Sequence, residues 1–156
     1  MSLDLNKRDE QSSSLTWVQV DANWTSIEEA INSGTNLYYC QGFAISDETT
    51  DLTTGTKLTA YLPHSLENIT VAGCVTTAPT GSSLIIDIHV AGTTIMTTDK
   101  IEIDAGEFST NTATDAPVVT TTTYTKFTKV EFIIDQIGST VAGAGAKVFI
   151  MGRITA

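Results

Sequence analysis

Two histidines supply all the imidazole of this chain, and His89 follows Asp87 at a spacing of two. Residues two apart on an extended strand point to the same side, so Asp87 and His89 can share a proton or offer two ligands to a metal. Zinc needs three or four donors, and neither Cys40 nor Cys74 has the CxxC spacing that would add them. The pair therefore reads as a polar pair on a surface or interface, with no metal and no cofactor expected. Ser, His and Asp are all present, but no Gly-x-Ser-x-Gly elbow or other nucleophile-bearing turn occurs, and catalysis is not expected.

The remaining chemical candidates weaken in the same way. Glu28 and Glu29 are adjacent on a helix and diverge, while Glu102 and Asp104 share one side of a strand that reads as a solvated edge, so neither is a glycosidase pair. Gly143 and Gly145 before Lys147 superficially resemble a phosphate loop, yet they lack the Walker spacing and precede a strand where a phosphate site needs a helix. Asn23-Trp-Thr25 and Asn68-Ile-Thr70 fit the N-glycosylation pattern, which a threonine-rich chain produces by chance. Trp17 and Trp24 can act as stacking platforms for sugar, but a tryptophan seven residues from another beside Val20 and Ile27 reads as packing. Thr120, Thr121, Thr122, Thr123 and Tyr124 form a polar loop tip where ligand contacts can live; the plainer reading is a solvated turn.

The elements that must position these residues are mostly strands. Residues 1–14 are polar, end in Ser12-Ser13-Ser14 and read as an extended arm. From Thr16, with Gln19 three residues on as a capping box and Gly34 as a stop, the pattern predicts one short helix. Its apolar stripe, Val20, Trp24, Ile27 and Ile31, is too short to stand alone in water, so it either lies on its own β-domain or packs around an axis with equivalent helices from other copies. After Gly34 the chain alternates. Leu84, Ile86, Ile88 and Val90 interleave with Ile85, Asp87 and His89; Val130, Phe132 and Ile134 with Glu131, Ile133 and Asp135; Val148 and Ile150 with Lys147, Phe149, Met151 and Arg153.

Further strands are expected at 36–45, 57–62, 67–76 and 117–121, with hairpins at Ala91-Gly92 and Ala105-Gly106, giving about eight to ten strands. That spacing predicts an antiparallel β-sandwich of jelly-roll type over residues 36–156, preceded by the arm and helix over 1–35. Ile133, Phe149 and Met151 are apolar on the side that alternation assigns to solvent. With Trp17, Val20, Trp24, Ile27 and Ile31 they are the candidates for an oligomer interface. Cys40 and Cys74 sit in apolar strand-like segments, the setting of small buried hydrophobes, and no disulfide is expected.

The stretch Leu15-Thr-Trp-Val-Gln-Val-Asp-Ala-Asn-Trp-Thr-Ser-Ile27 resembles the TW…VDANF…L segment that recurs near the start of many phage tail-fibre and related virion proteins, with Trp24 where Phe is more usual. Over residues 56–156, four ordered blocks are similar to a compact β-sandwich domain of phage virion proteins: Lys57–His64, Thr76–Ile88, Ile101–Glu107 and Ile134–Val148. The resemblance implies a homotrimeric structural component on the outside of a tailed-phage particle, as decoration, cement or short fibre. It would be attached through its N-terminal region to other virion proteins of the capsid or tail. A receptor-binding module holding host-surface carbohydrate at its loop tips is the competing expectation, because fold does not fix function.

Composition agrees with a packed β-domain. Of the 156 residues, 41% are hydrophobic and 17% charged, which disfavours a disordered chain. The net charge of −10 repels phosphate backbones and anionic lipid, so nucleic acid and membrane insertion are not expected. The start, Met1-Ser-Leu-Asp-Leu-Asn-Lys-Arg-Asp-Glu, has no hydrophobic signal region, so the expectation is assembly in the host cytoplasm and residence in the virion.

Overall fold

The computed structural model of the chain describes Trp24, Thr25 and residues 37–155. Trp24 and Thr25 are helical; the arm, the rest of the expected helix, and Trp17, Val20, Ile27 and Ile31 lie outside the described residues. Eight strands follow: β1 (Tyr38–Ala44), β2 (Gly55–Tyr61), β3 (Ser65–Cys74), β4 (Leu84–Val90), β5 (Thr93–Thr94), β6 (Ile101–Ile103), β7 (Lys129–Gln136) and β8 (Lys147–Thr155). They form two antiparallel sheets. The first has the order β1-β8-β3, and the second β2-β7-β4-β5 with β6 also on β4.

The inner residues of the alternating runs build one core between the sheets. Leu84, Ile86 and Ile88 of β4 and Phe132 of β7 are fully buried, as are Ile101 and Ile103 of β6 and Val148 of β8. Phe43 of β1 meets Phe132 with ring centroids 4.8 Å apart, which ties the two sheets at mid-core. Each such side chain contributes about 1.5–3 kcal/mol by leaving water. The fold is thus a mainly β sandwich.

Turn chemistry sets the register. Ala91 and Gly92 both have positive φ, 52° and 82°, the backbone of a two-residue hairpin whose twist matches its strands. That turn fixes Val90 opposite Thr93 and His89 opposite Thr94. Asp104 to Glu107 also turn, closed by the Glu107 N–H donating to the Asp104 carbonyl at 2.9 Å. No hairpin results, however, because the next residues leave β6 and bond the edge of β3, with Ser109 bridging Cys74.

The strand expected at 117–121 does not form. Pro117 has no N–H to give a ladder, and this stretch makes single crossing bonds, from the Val118 N–H to the Asp99 carbonyl and from the Thr120 N–H to the Ile95 carbonyl, both 2.8 Å. The glycine-rich segment between β7 and β8 is a seam: Thr77 bridges Ala144, and Thr80 bridges Val141. Gly138 lies so close to the Thr80 and Val141 backbones that no Cβ fits there.

Candidate functional site: the outer faces of the sandwich

Each sheet turns one face away from the core. On the first sheet the outward side chains follow from alternation and register: Tyr38, Cys40, Gly42 and Ala44 on β1; Lys147, Phe149, Met151 and Arg153 on β8; Thr70, Ala72 and Cys74 on β3. Phe149 and Met151 stand half-buried in the middle row. Gly42 and Ala72 face Phe149 from either side, and the Phe149 ring covers Gly42. Charge is confined to the two ends. Lys147 pairs with Glu48 at 2.7 Å, and the Arg153 guanidinium forks onto Glu67. Between them runs a patch of small and apolar groups with nothing above it among the described residues.

Both cysteines belong to this face, which corrects the sequence expectation. Cys40 is exposed and Cys74 half-buried, and neither is in the core. They sit opposite Met151 and Lys147 on the two sides of β8, about 16 Å apart from strand spacing and rise, well beyond disulfide reach. Strand composition alone did not reveal which face they occupy.

The outer face of the second sheet is organised around one carboxylate. Asp87 is 2% exposed, although alternation places it on the solvent side of β4. The Thr94 hydroxyl donates to its Oδ1 at 2.6 Å and the Ile88 N–H at 2.7 Å. Lys100 Nζ lies 2.8 Å from its Oδ2, and His89 Nε2 lies 3.3 Å from the same oxygen. Lys100 also reaches Asp135 of β7 at 2.5 Å, so one ammonium ties the β5–β6 connection to β4 and β7. Ile133, opposite Asp87 on one side and Thr56 on the other, completes this face.

Titration explains what the cluster does. Burial pushes the Asp87 carboxyl up, but the Lys100 and Thr94 hydrogen bonds and the nearby positive charge outweigh it and hold the group below its ordinary 3.8. Hydrogen bonds to Asp135 and Asp87 hold Lys100 above its ordinary 10.5. Asp87 and Lys100 are therefore both held in their charged forms at neutral pH, and their ion pair ties the β5–β6 connection to the sheet. Asp87 and His89 do point the same way, as their spacing implies; Lys100 and Asp135, distant in sequence, were the partners that spacing could not supply. Among the described residues no group of three or more His, Cys, Asp or Glu side chains is set to hold a metal ion.

The other candidates disperse. Tyr124 is buried, its hydroxyl donating to the Thr128 carbonyl at 2.6 Å and accepting from the Leu62 N–H at 3.0 Å, so the exposed part of its loop is Thr120 to Thr123. Its backbone exchanges hydrogen bonds with Leu66, which fastens the loop to β3. Asp104 accepts from the Thr114 N–H and hydroxyl, at 2.9 and 2.8 Å, and thereby pins a loop ten residues away. His64 is exposed, with its ring centroid 6.1 Å from that of Tyr39. Trp24 is 64% exposed. Phe149 and Met151 share one surface, while Ile133 lies on the opposite side of the sandwich, so a single contiguous patch cannot contain all three.

No protein-family model and no curated protein matches the chain. Among solved structures, the chain resembles the core of the Drosophila NLP protein, described for pentamer formation and histone binding, at 13% identity over 77% of this chain and 98% of that one, with a TM-score of 0.39. A structure of infectious bursal disease virus, Gx strain, is similar at 14% identity and a TM-score of 0.34, covering 76% of this chain and about a third (34%) of the viral one.

Proposed function

We propose that the chain is a structural component on the surface of a tailed-phage particle, present in three copies and held there by its N-terminal region. The observation that carries this reading is the outer face of the first sheet, where Phe149 and Met151 stand in a row free of charge between Lys147 and Arg153. Such a patch suits contact with another protein surface. The most conspicuous ionic cluster, around Asp87, is closed by its own partners and offers no open site. The TW…VDAN segment and the four ordered blocks support a virion protein, and the nested order β1-β8-β3 against β2-β7-β4-β5 supports the jelly-roll form of the sandwich.

Gold-labelled antibody against the chain, applied to phage particles made with and without it, tests the location. The expected result is label on the outside of the capsid or tail that disappears when residues 1–14 are deleted. Unlabelled particles, or unchanged labelling after the deletion, would contradict the reading. Trp24→Asp puts a charge on the exposed tryptophan position and is expected to break the N-terminal contact among the three copies, which lowers the light-scattering mass.

A further inference from the structure

We propose that β1 is a docking edge for a second copy of this chain, whose own β1 pairs with it antiparallel about a two-fold axis. The inference rests on the multi-copy reading above but concerns a different contact from the N-terminal one. The Ile45 N–H donates to Ala146, and the Leu37 carbonyl accepts from Ile154, so the odd-numbered residues of β1 turn their backbone groups toward β8. By alternation, Tyr38, Cys40, Gly42 and Ala44 turn their N–H and C=O groups away from the sheet. Among the described residues only one of these outward groups has a partner, the Gly42 carbonyl, which accepts from the Gln41 side-chain amide at 2.9 Å.

Among the described residues, every other edge of the sandwich carries a protection that β1 lacks. β2 has a bulge between Thr56 and Leu58 with Lys57 at it. β5 and β6 are two and three residues long. The free side of β3 is covered by Ser109 at one end and Tyr124 at the other. By contrast, β1 runs seven residues in unbroken register with no proline, bulge or charge, which is the form of edge that adds a strand.

The occupant follows from charge and shape. Copies carrying −10 each repel, and an uncharged edge is where two of them can approach. Centring the two-fold on Gln41, the middle of the strand, overlaps the whole edge and makes about eight new hydrogen bonds. It sets Tyr38 opposite Ala44 and Cys40 opposite Gly42 of the second copy, large beside small in each case. It also joins the two uncharged outer faces into one continuous surface.

The register gives the test. With Cys40→Ser and Cys74→Ser as background, Gln41→Cys is expected to form a disulfide-linked dimer under mild oxidation, because a non-hydrogen-bonded pair brings Cα atoms to about 4.5 Å. Tyr38→Cys and Ala44→Cys are expected to cross-link when mixed and not singly. Cys40→Pro removes only an outward N–H, so it should leave the melting curve unchanged and reduce Gln41→Cys cross-linking at least tenfold. Absence of the Gln41 cross-link at any concentration, or its survival with Cys40→Pro in a folded chain, overturns the proposal. Trp24→Asp separates the two contacts: it is expected to lower the mass and spare the cross-link.

Discussion

The outer faces of the two sheets are made from strands of the same alternating kind, yet one is closed and the other open. On the second sheet, Lys100 arrives from the β5–β6 connection and covers Asp87, which leaves the carboxylate 2% exposed and fully hydrogen-bonded. On the first sheet no connection among the described residues crosses the face, and Phe149 and Met151 remain half-exposed beside Gly42 and Ala72. A polar residue has become interior and apolar ones have stayed exterior. What crosses a face decides burial there, and alternation alone does not.

The largest test of this contrast is Lys100→Met, which leaves a buried carboxylate without its cation. Unfolding in urea is expected to show a loss of about 3 kcal/mol with the association state unchanged. Acid sharpens the comparison. Because the folded Asp87 titrates below its ordinary 3.8, its stabilisation is present above that pH and is lost as pH falls through the folded value. Without Lys100, burial dominates and the loss begins higher, so the acid midpoint of Lys100→Met is expected about one pH unit above that of the parent in a melting-temperature series.

On the open face the effect should move from stability to association. Phe149→Ser is expected to change unfolding by less than about 1 kcal/mol, since the ring is already half in water. It should also reduce self-association measured by sedimentation. Smallest of all is His89→Gln, expected to stay within about 0.5 kcal/mol at pH 7, because Lys100, Thr94 and the Ile88 N–H still hold Asp87.

The strands were legible wherever apolar residues alternate or a glycine turn fixes the register. Leu84–Val90, Lys129–Gln136 and Lys147–Thr155 each carry the period of two, and Ala91-Gly92 carries the positive-φ turn. Residues 117–121 were not, because Val118 and Val119 have β-branched shape but follow a proline and enter no ladder. Phe149 and Met151 were recognisable as apolar residues on a wet side; that Ile133 belongs to the other sheet's outer face required the sheet order. Tyr124 looked like a loop tip because a run of threonines precedes it, and its anchoring partners Leu62 and Leu66 lie about sixty positions away. Asp87 and His89 were paired by spacing, whereas Lys100 comes from a connection whose path no local pattern specifies.

Central to the proposed role is the uncharged outer face of the first sheet as a surface that another protein covers. Light scattering of the purified full chain beside the double variant Phe149→Ser, Met151→Ser tests this directly. The predicted result is a mass of several copies for the parent and a lower mass, with an unchanged melting curve, for the variant. A parent that remains a single copy at every concentration, or a variant with the parent's mass, would contradict it.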